Sequence, residues 1–274
     1  MSVVFPVYAQ TYTARRPYLT PAEYMAYPTG VNLDNLVPGG SETLNAQALA
    51  EAIASGSGWV DSICKQVVAA TNETTVRDCL IRNDGWVTVP TQYWPIAAVE
   101  SVQVGDESPV QPNPADIREA TVRVRAQQSR GRVPVVVKYV AGFASALTTG
   151  QVMAGATVIP IDNVLGIAPG MSLTVYDPVV SEYVTVAAVS DMSITVTAPL
   201  TQGHGPGVNV SALPPAVKQA TVLLTTATIK TRAAQAIQIA SVHSQPQVVA
   251  ANPPGVTTEE SIAAKMLRPF TLDF

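Results

Sequence analysis

Between residues 150 and 210 this chain carries almost no helical signal, and no other feature narrows its fold as much. Short apolar runs at 158–161, 172–176, 184–189 and 194–197 alternate with turn residues at Gly166, Pro169-Gly170 and Ser190-Asp191. Four short strands punctuated in this way predict a small β-barrel or sandwich. The composition shifts at about residue 148, so 148–210 reads as an inserted β-domain.

The flanks have other periods. Over 41–70, Leu49, Ile53, Gly56, Val60, Ile63 and Val67 recur at spacings of three and four behind a capping Ser41, which predicts a helix. Gly56 and Gly58 in its middle each cost about 1 kcal/mol against Ala. They point either to close approach of another backbone or to a break into two helices. The period then becomes two. Residues 75–82 and 86–90 flank Asn83-Asp84-Gly85, a hairpin signal, and 96–104 alternates again. Thr121-Val122-Arg123-Val124-Arg125 alternates strictly, turns at Ser129-Arg130-Gly131-Arg132 and returns through 135–140, a second expected hairpin.

Helical signals return after the insertion. Leu213-Pro214-Pro215 precedes 216–232, where Val217, Ala220, Leu224 and Ala227 form a stripe. The many threonines weaken this helix, because β-branched side chains lose rotamer freedom there. The core domain is therefore drawn as 41–147 plus 211–242. The remainder, 243–274, is a loop and a short helix opened by the capping box Thr257-Thr258-Glu259-Glu260 and stopped at Pro269.

Residues 1–40 read as an extended arm with one short helix. Thr20-Pro21-Ala22-Glu23 is a capping box with proline in the first turn, and Pro28 ends the helix. Tyr8, Tyr12, Tyr18, Tyr24 and Tyr27 crowd the arm. A free tail is depleted in aromatics, so the arm is expected to lie against its own domain or a neighbouring subunit.

Only 13% of residues are charged, against roughly a quarter in ordinary soluble domains. Either other subunits cover part of the surface, or Thr, Ser, Gln and Asn do the solvating. The net charge of −4 excludes a basic body that wraps nucleic acid. The first ten residues lack a basic start and carry Pro6, so no secretory signal is expected, and no window approaches the ~20 apolar residues of a membrane span. Cys64 and Cys79 fit no metal spacing and read as buried free thiols in a reducing cytoplasm.

A search for chemistry finds no catalytic, metal or cofactor pattern. His204 lies in the turn-like Gly203-His204-Gly205-Pro206-Gly207 and His243 in a polar linker; neither has a local partner or nucleophile, so both read as loop residues. The glycine-rich segment lacks the Lys-Ser/Thr of a phosphate loop, and no HExxH, GxSxG or EF-hand spacing occurs. One basic feature remains: Arg123, Arg125, Arg130 and Arg132 cluster on one expected hairpin. It is either a solvated or ion-paired face, or a tip that touches phosphates in a DNA-filled channel without reading sequence.

Several segments together resemble the head-to-tail connector, or adaptor, family of tailed bacteriophages. They are Tyr18-Leu19-Thr20, the apolar helix, Trp94-Pro95-Ile96 leading into Val99-Glu100-Ser101-Val102, and above all Val137-Lys138-Tyr139-Val140-Ala141-Gly142-Phe143. In the family that last strand runs into Leu-Pro and an Ala-containing helix; here Leu213-Pro214-Pro215-Ala216 arrives only after the insertion. The resemblance covers about 18–142 and 213–235. It implies an α+β fold with a mainly helical core, β-hairpins and an inserted all-β barrel or sandwich. It also implies a twelve-subunit ring beneath the portal at the virion's head–tail junction, built in the host cytoplasm and meeting the portal and a stopper or tail-completion protein. Portal docking through the C-terminal segment carries over to Ile262, Met266, Leu267 and Phe270, with packing onto the chain's own domain as the alternative. Rival readings are a tail-completion or head-decoration protein, a carbohydrate- or surface-binding module built on the β-domain, and an unrecognised hydrolase.

Overall fold

A computed structural model describes residues 16–127, 131–240 and 258–272, with backbone only for 232–240. Among them are four α-helices, α1 (Pro21–Ala26), α2 (Glu42–Cys64), α3 (Pro215–Ala240) and α4 (Thr258–Leu267). The strands are β1 (Thr71–Ile81), β2 (Trp86–Pro90), β3 (Ile96–Val104), β4 (Ile117–Arg118), β5 (Thr121–Arg125), β6 (Gly131–Ala141), β7 (Ser145–Leu147), β8 (Val158–Pro160), β9 (Ser172–Tyr176), β10 (Glu182–Ser190), β11 (Ser193–Val196) and β12 (Asn209–Ser211).

The helices form one layer. The Ser41 hydroxyl caps α2 by accepting from the Leu44 N–H, and Lys65 in the left-handed region (φ 57°) ends it. The helix is unbroken at Gly56, where a Cβ would lie 2.4 Å from Thr225 Oγ1 and 3.0 Å from the Thr225 backbone nitrogen. Close approach of α3 is thus what the glycine permits. In α3 the hydroxyls of Thr221, Thr226, Thr228 and Thr231 donate to the carbonyls four residues back. That internal pairing satisfies these four hydroxyls inside a threonine-rich helix, whereas the buried Thr225 Oγ1, against Gly56, has no hydrogen-bond partner among the described residues. α4 packs on the chain's own helices, with Ala263 and Leu267 in the cluster that holds Val60, Val217 and Leu224.

The expectation of a mainly helical core is overturned: strand residues outnumber helical ones, 34% to 27%, and residues 71–141 form two β-sheets around one apolar core. Neither expected hairpin pairs as the sequence suggests. The Asp84-Gly85 turn does form, with Arg82 N–H donating to Trp86 O at 3.0 Å. Beyond it, however, β1 ladders with β6 and β2 with β5. Residues 71–90 and 121–141 are in effect one long antiparallel ribbon, bent where its register slips by one residue. Folding the ribbon over explains the change of partner. Val87, Val89, Val122 and Val124 from one half face Ile81, Val133, Val135 and Val137 from the other. A flat hairpin would have left those inner faces uncovered. The helical expectation came from the short segments that carry the resemblance, and the strongest of them, 137–143, lies mostly on β6.

The insertion is a six-stranded sheet in the order β7-β12-β9-β10-β11-β8. It curls into a half-barrel whose edge strands meet through a Thr148–Ile161 bridge and hydrogen bonds from Thr149 N–H to Pro160 O and Asp162 N–H to Leu147 O. The sequence shows the four strands that lie between β7 and β12 along the chain, but not those two, three residues each. These two bring the chain in and out side by side, and Ala212 N–H donates to Ala144 O at 2.9 Å.

Candidate functional site

The predicted basic hairpin is a bend of the long ribbon. Arg125 ends β5 opposite Trp86, Arg132 lies near the start of β6 opposite Leu80, and both are exposed. Arg123 is half-buried with its guanidinium 4.7 Å from the Trp86 ring, a cation–π contact that commits it to the sheet. Arg130 lies outside the described residues. Among those residues no carboxylate is within ion-pair distance of Arg123, Arg125 or Arg132.

The predicted docking residues divide. Leu267 is buried, and Phe270 packs edge-on against Phe143 at 6.1 Å between centroids. Backbone and side chain reinforce this seat: Leu272 N–H donates to Cys64 O, and Gln66 Nε2 to Phe270 O. Met266 is half-buried and Ile262 is 45% exposed. A groove between α2, α3 and α4, lined by Ser55, Trp59, Leu224, Thr228 and Glu260, leaves Trp59 51% exposed beside this segment.

Two of the arm's tyrosines, Tyr18 and Tyr24, turn inward on the same chain, while Tyr27 is exposed. The Tyr18 hydroxyl donates to Asp61 and accepts from Val68 N–H at 3.0 Å, and burial, then the Asp61 charge, holds the phenol far above its ordinary range. Burial and the same carboxylate push the Cys64 thiol up to about 12. The Tyr24 hydroxyl pairs with Thr226 Oγ1 at 2.9 Å. Tyr8, Tyr12 and His243 lie outside the described residues.

Two buried ionic clusters escape the sequence reading. In the first, Lys218 of α3 donates to Glu23 of α1 and sits 3.6 Å over the Tyr176 ring. Glu23 still serves its capping box, accepting from Thr20 N–H at 2.6 Å, and also accepts from Asn209 Nδ2 at 3.5 Å. Burial lowers Lys218 below the usual lysine range, against the pull of Glu23. This cluster joins arm, helices and barrel. In the second, His204 is 2% exposed, with Nδ1 3.0 Å from Asp177 Oδ2 and Nε2 2.7 Å from Glu182 Oε1. Desolvation works against the imidazolium, but the two carboxylate hydrogen bonds prevail and raise its pKa. The expected turn role for His204 is thus incomplete: its backbone pairs with Val152 while its ring ties two loops together.

The first cluster left little sequence signal, because Lys218 lies off the Val217–Leu224 stripe on a helix that also buries Thr221, Thr225 and Thr226. His204 offered none, because its partners approach only once the barrel has closed. Among the described residues no group of three or more His, Cys, Asp or Glu side chains is arranged to hold a metal ion, and no helix is long and apolar enough to cross a membrane. No protein-family model and no curated protein matches the chain.

Proposed function

We propose that this chain is a structural subunit of a tailed-phage virion, an adaptor that forms a ring beneath the portal and lets the DNA through its lumen. The observation that carries this reading is how the two halves of the resemblance come together. Phe143 and Leu213, which bracket the insertion, belong to one apolar cluster, and Ala144 and Ala212 are hydrogen-bonded. The barrel thus leaves and rejoins a continuous core at one point, in the order of parts the adaptor family has.

The surface supports the same reading. Trp59 and Ile262 are exposed on the helical layer, while Val76 and Leu80 are exposed on β1, an edge strand paired on one side only. Two apolar areas on different layers suit the two unlike faces that a cyclic subunit buries. A ring of twelve copies, as the family implies, would set the portal on one side and a stopper or tail-completion protein on the other. Because Leu267 and Phe270 are already packed inside, portal contact through the C-terminal segment would use Ile262 and Met266. Arg125 and Arg132 would face the lumen and contact phosphates without sequence preference.

Cryo-electron microscopy of virions from a phage encoding this chain tests the proposal. A closed ring between portal and tail is the expected result. Density on the capsid lattice or along the tail tube, or absence from the particle, would overturn it.

A further inference from the structure

We infer that the loop joining β9 to β10 is a latch whose Asp177 end closes when His204 is protonated and opens when it is not. The inference is independent of the adaptor reading. Its basis is the donor inventory of three side chains. An ionised carboxylate only accepts, so an imidazole placed between two of them must donate from both nitrogens, which only the imidazolium can do. Asp177 ends the run from β9 and Glu182 begins β10, so the one ring grips both ends of the loop. The segment around Val152, packed on the other side of His204, contributes no charged group. Between Lys138 and Lys218 the sequence has no Lys or Arg at all, so the barrel supplies no other cation to either carboxylate.

The two ends are not equally secure. Glu182 also accepts from Thr201 N–H at 3.0 Å, Thr201 Oγ1 at 2.9 Å and Gln202 N–H at 3.4 Å. The Asp177 carboxylate is otherwise engaged only within its own loop, taking the Val179 N–H at 3.0 Å. When the imidazolium loses a proton, the one left stays on Nε2, at the shorter and better supported Glu182 contact. Nδ1 then presents a lone pair to Asp177, and that end lets go. What it releases is an apolar tip: Val179 is 88% exposed and Val180 40%. Protonation therefore sets how rigidly this tip is presented to a partner.

Solution NMR on the full chain tests the latch, with His243→Gln assigning the two imidazole signals. The His204 ring should titrate above the ordinary 6.5. Across that titration, amide protection at Val179 and Val180, corrected for intrinsic exchange, should fall about tenfold, the scale of one charge-assisted hydrogen bond. Thr201 and Gln202 should keep theirs. In Asp177→Asn the carboxamide can donate to unprotonated Nδ1, so the midpoint should drop and protection should no longer follow pH. In Asp177→Ala the loop should stay open at every pH, with retained protection at Thr201 showing that the barrel is folded. A midpoint at or below 6.5, loop protection indifferent to the titration, or Asp177→Asn behaving as wild type would overturn the latch.

Discussion

The seam where the barrel meets the helices and the loop end of the barrel are both held by buried charge, yet they are built to different tolerances. At the seam Lys218 and Glu23 are 1% and 5% exposed, and they join elements that the chain visits almost two hundred residues apart. Glu23 has two further donors, Thr20 N–H and Asn209 Nδ2, but neither carries a charge, and Asn209 Oδ1 and Ser211 Oγ, both buried on β12, have no hydrogen-bond partner among the described residues. At the loop end Asp177 and Glu182 retain some access to water, and Glu182 has three other donors. The seam is therefore expected to fail as a unit, the loop end by degrees.

Removing the seam's cation should have the largest effect. Lys218→Met leaves the buried Glu23 carboxyl without its cationic partner, which costs roughly 3–5 kcal/mol. The double variant Glu23→Gln/Lys218→Met removes both charges together and should recover most of that loss, since a neutral pair of similar volume does not carry the desolvation penalty. Denaturant unfolding of the two variants measures the difference. A loss below about 1 kcal/mol for the single variant would mean that water reaches the seam much as it reaches the loops, and the contrast would dissolve.

The helical layer offers a sharper break a few residues away. Gly56→Ala places a Cβ against the Thr225 backbone as well as its hydroxyl. Neither α2 nor α3 can retreat without opening the core, so about 1–3 kcal/mol should be lost. Gly58→Ala, two positions on in the same helix, meets nothing within 4 Å and should gain about 0.5–1 kcal/mol from helix propensity alone. Opposite signs from these two glycines would establish that α2 and α3 touch through backbone. Matching signs would show that the crossing relaxes.

These positions also show what the chain discloses before it folds. The caps at Thr20 and Ser41, the apolar stripes of α2 and α3 and four of the barrel strands are local: each depends on residues within one or two turns, and each is legible. Gly56 was legible as a choice between two outcomes, which only the partner helix decides. Strand partners were not legible. Asp84-Gly85 specifies a turn, and the sequence alone favours pairing its two arms. Burying Val87 and Val89 against Val135 and Val137 outweighs that local preference and folds the ribbon over. The ionic clusters were least accessible, because Lys218 and Glu23 are 195 positions apart and His204 stands 27 and 22 from its carboxylates. Their meaning lies in contacts that exist only after the layers have assembled.

The smallest expected effect distinguishes the two clusters by the direction of their pH dependence. His204 has a raised pKa in the folded state. Its contribution is therefore complete below about 6.5 and is lost as pH rises through the folded value. Asp177 and Glu182 are lowered in spite of burial, by their hydrogen bonds to His204 and to nearby backbone. Their share is present above the ordinary carboxylate range and is lost as pH falls through their folded values, which leaves the clasp strongest in mild acid. Lys218 slopes the other way. Burial depresses its pKa, so between its folded value and the usual 10.5 the unfolded chain holds the extra proton, and stability rises with pH. Unfolding free energies measured from about pH 5 to about pH 8 should thus fall; at higher pH the rise from Lys218 is opposed by Cys64 and Tyr18, whose raised values make the fold hold protons that the unfolded chain releases. Asp177→Asn should remove the fall. If it does not, the clasp does not couple to global unfolding, and the loop end yields on its own while the seam holds.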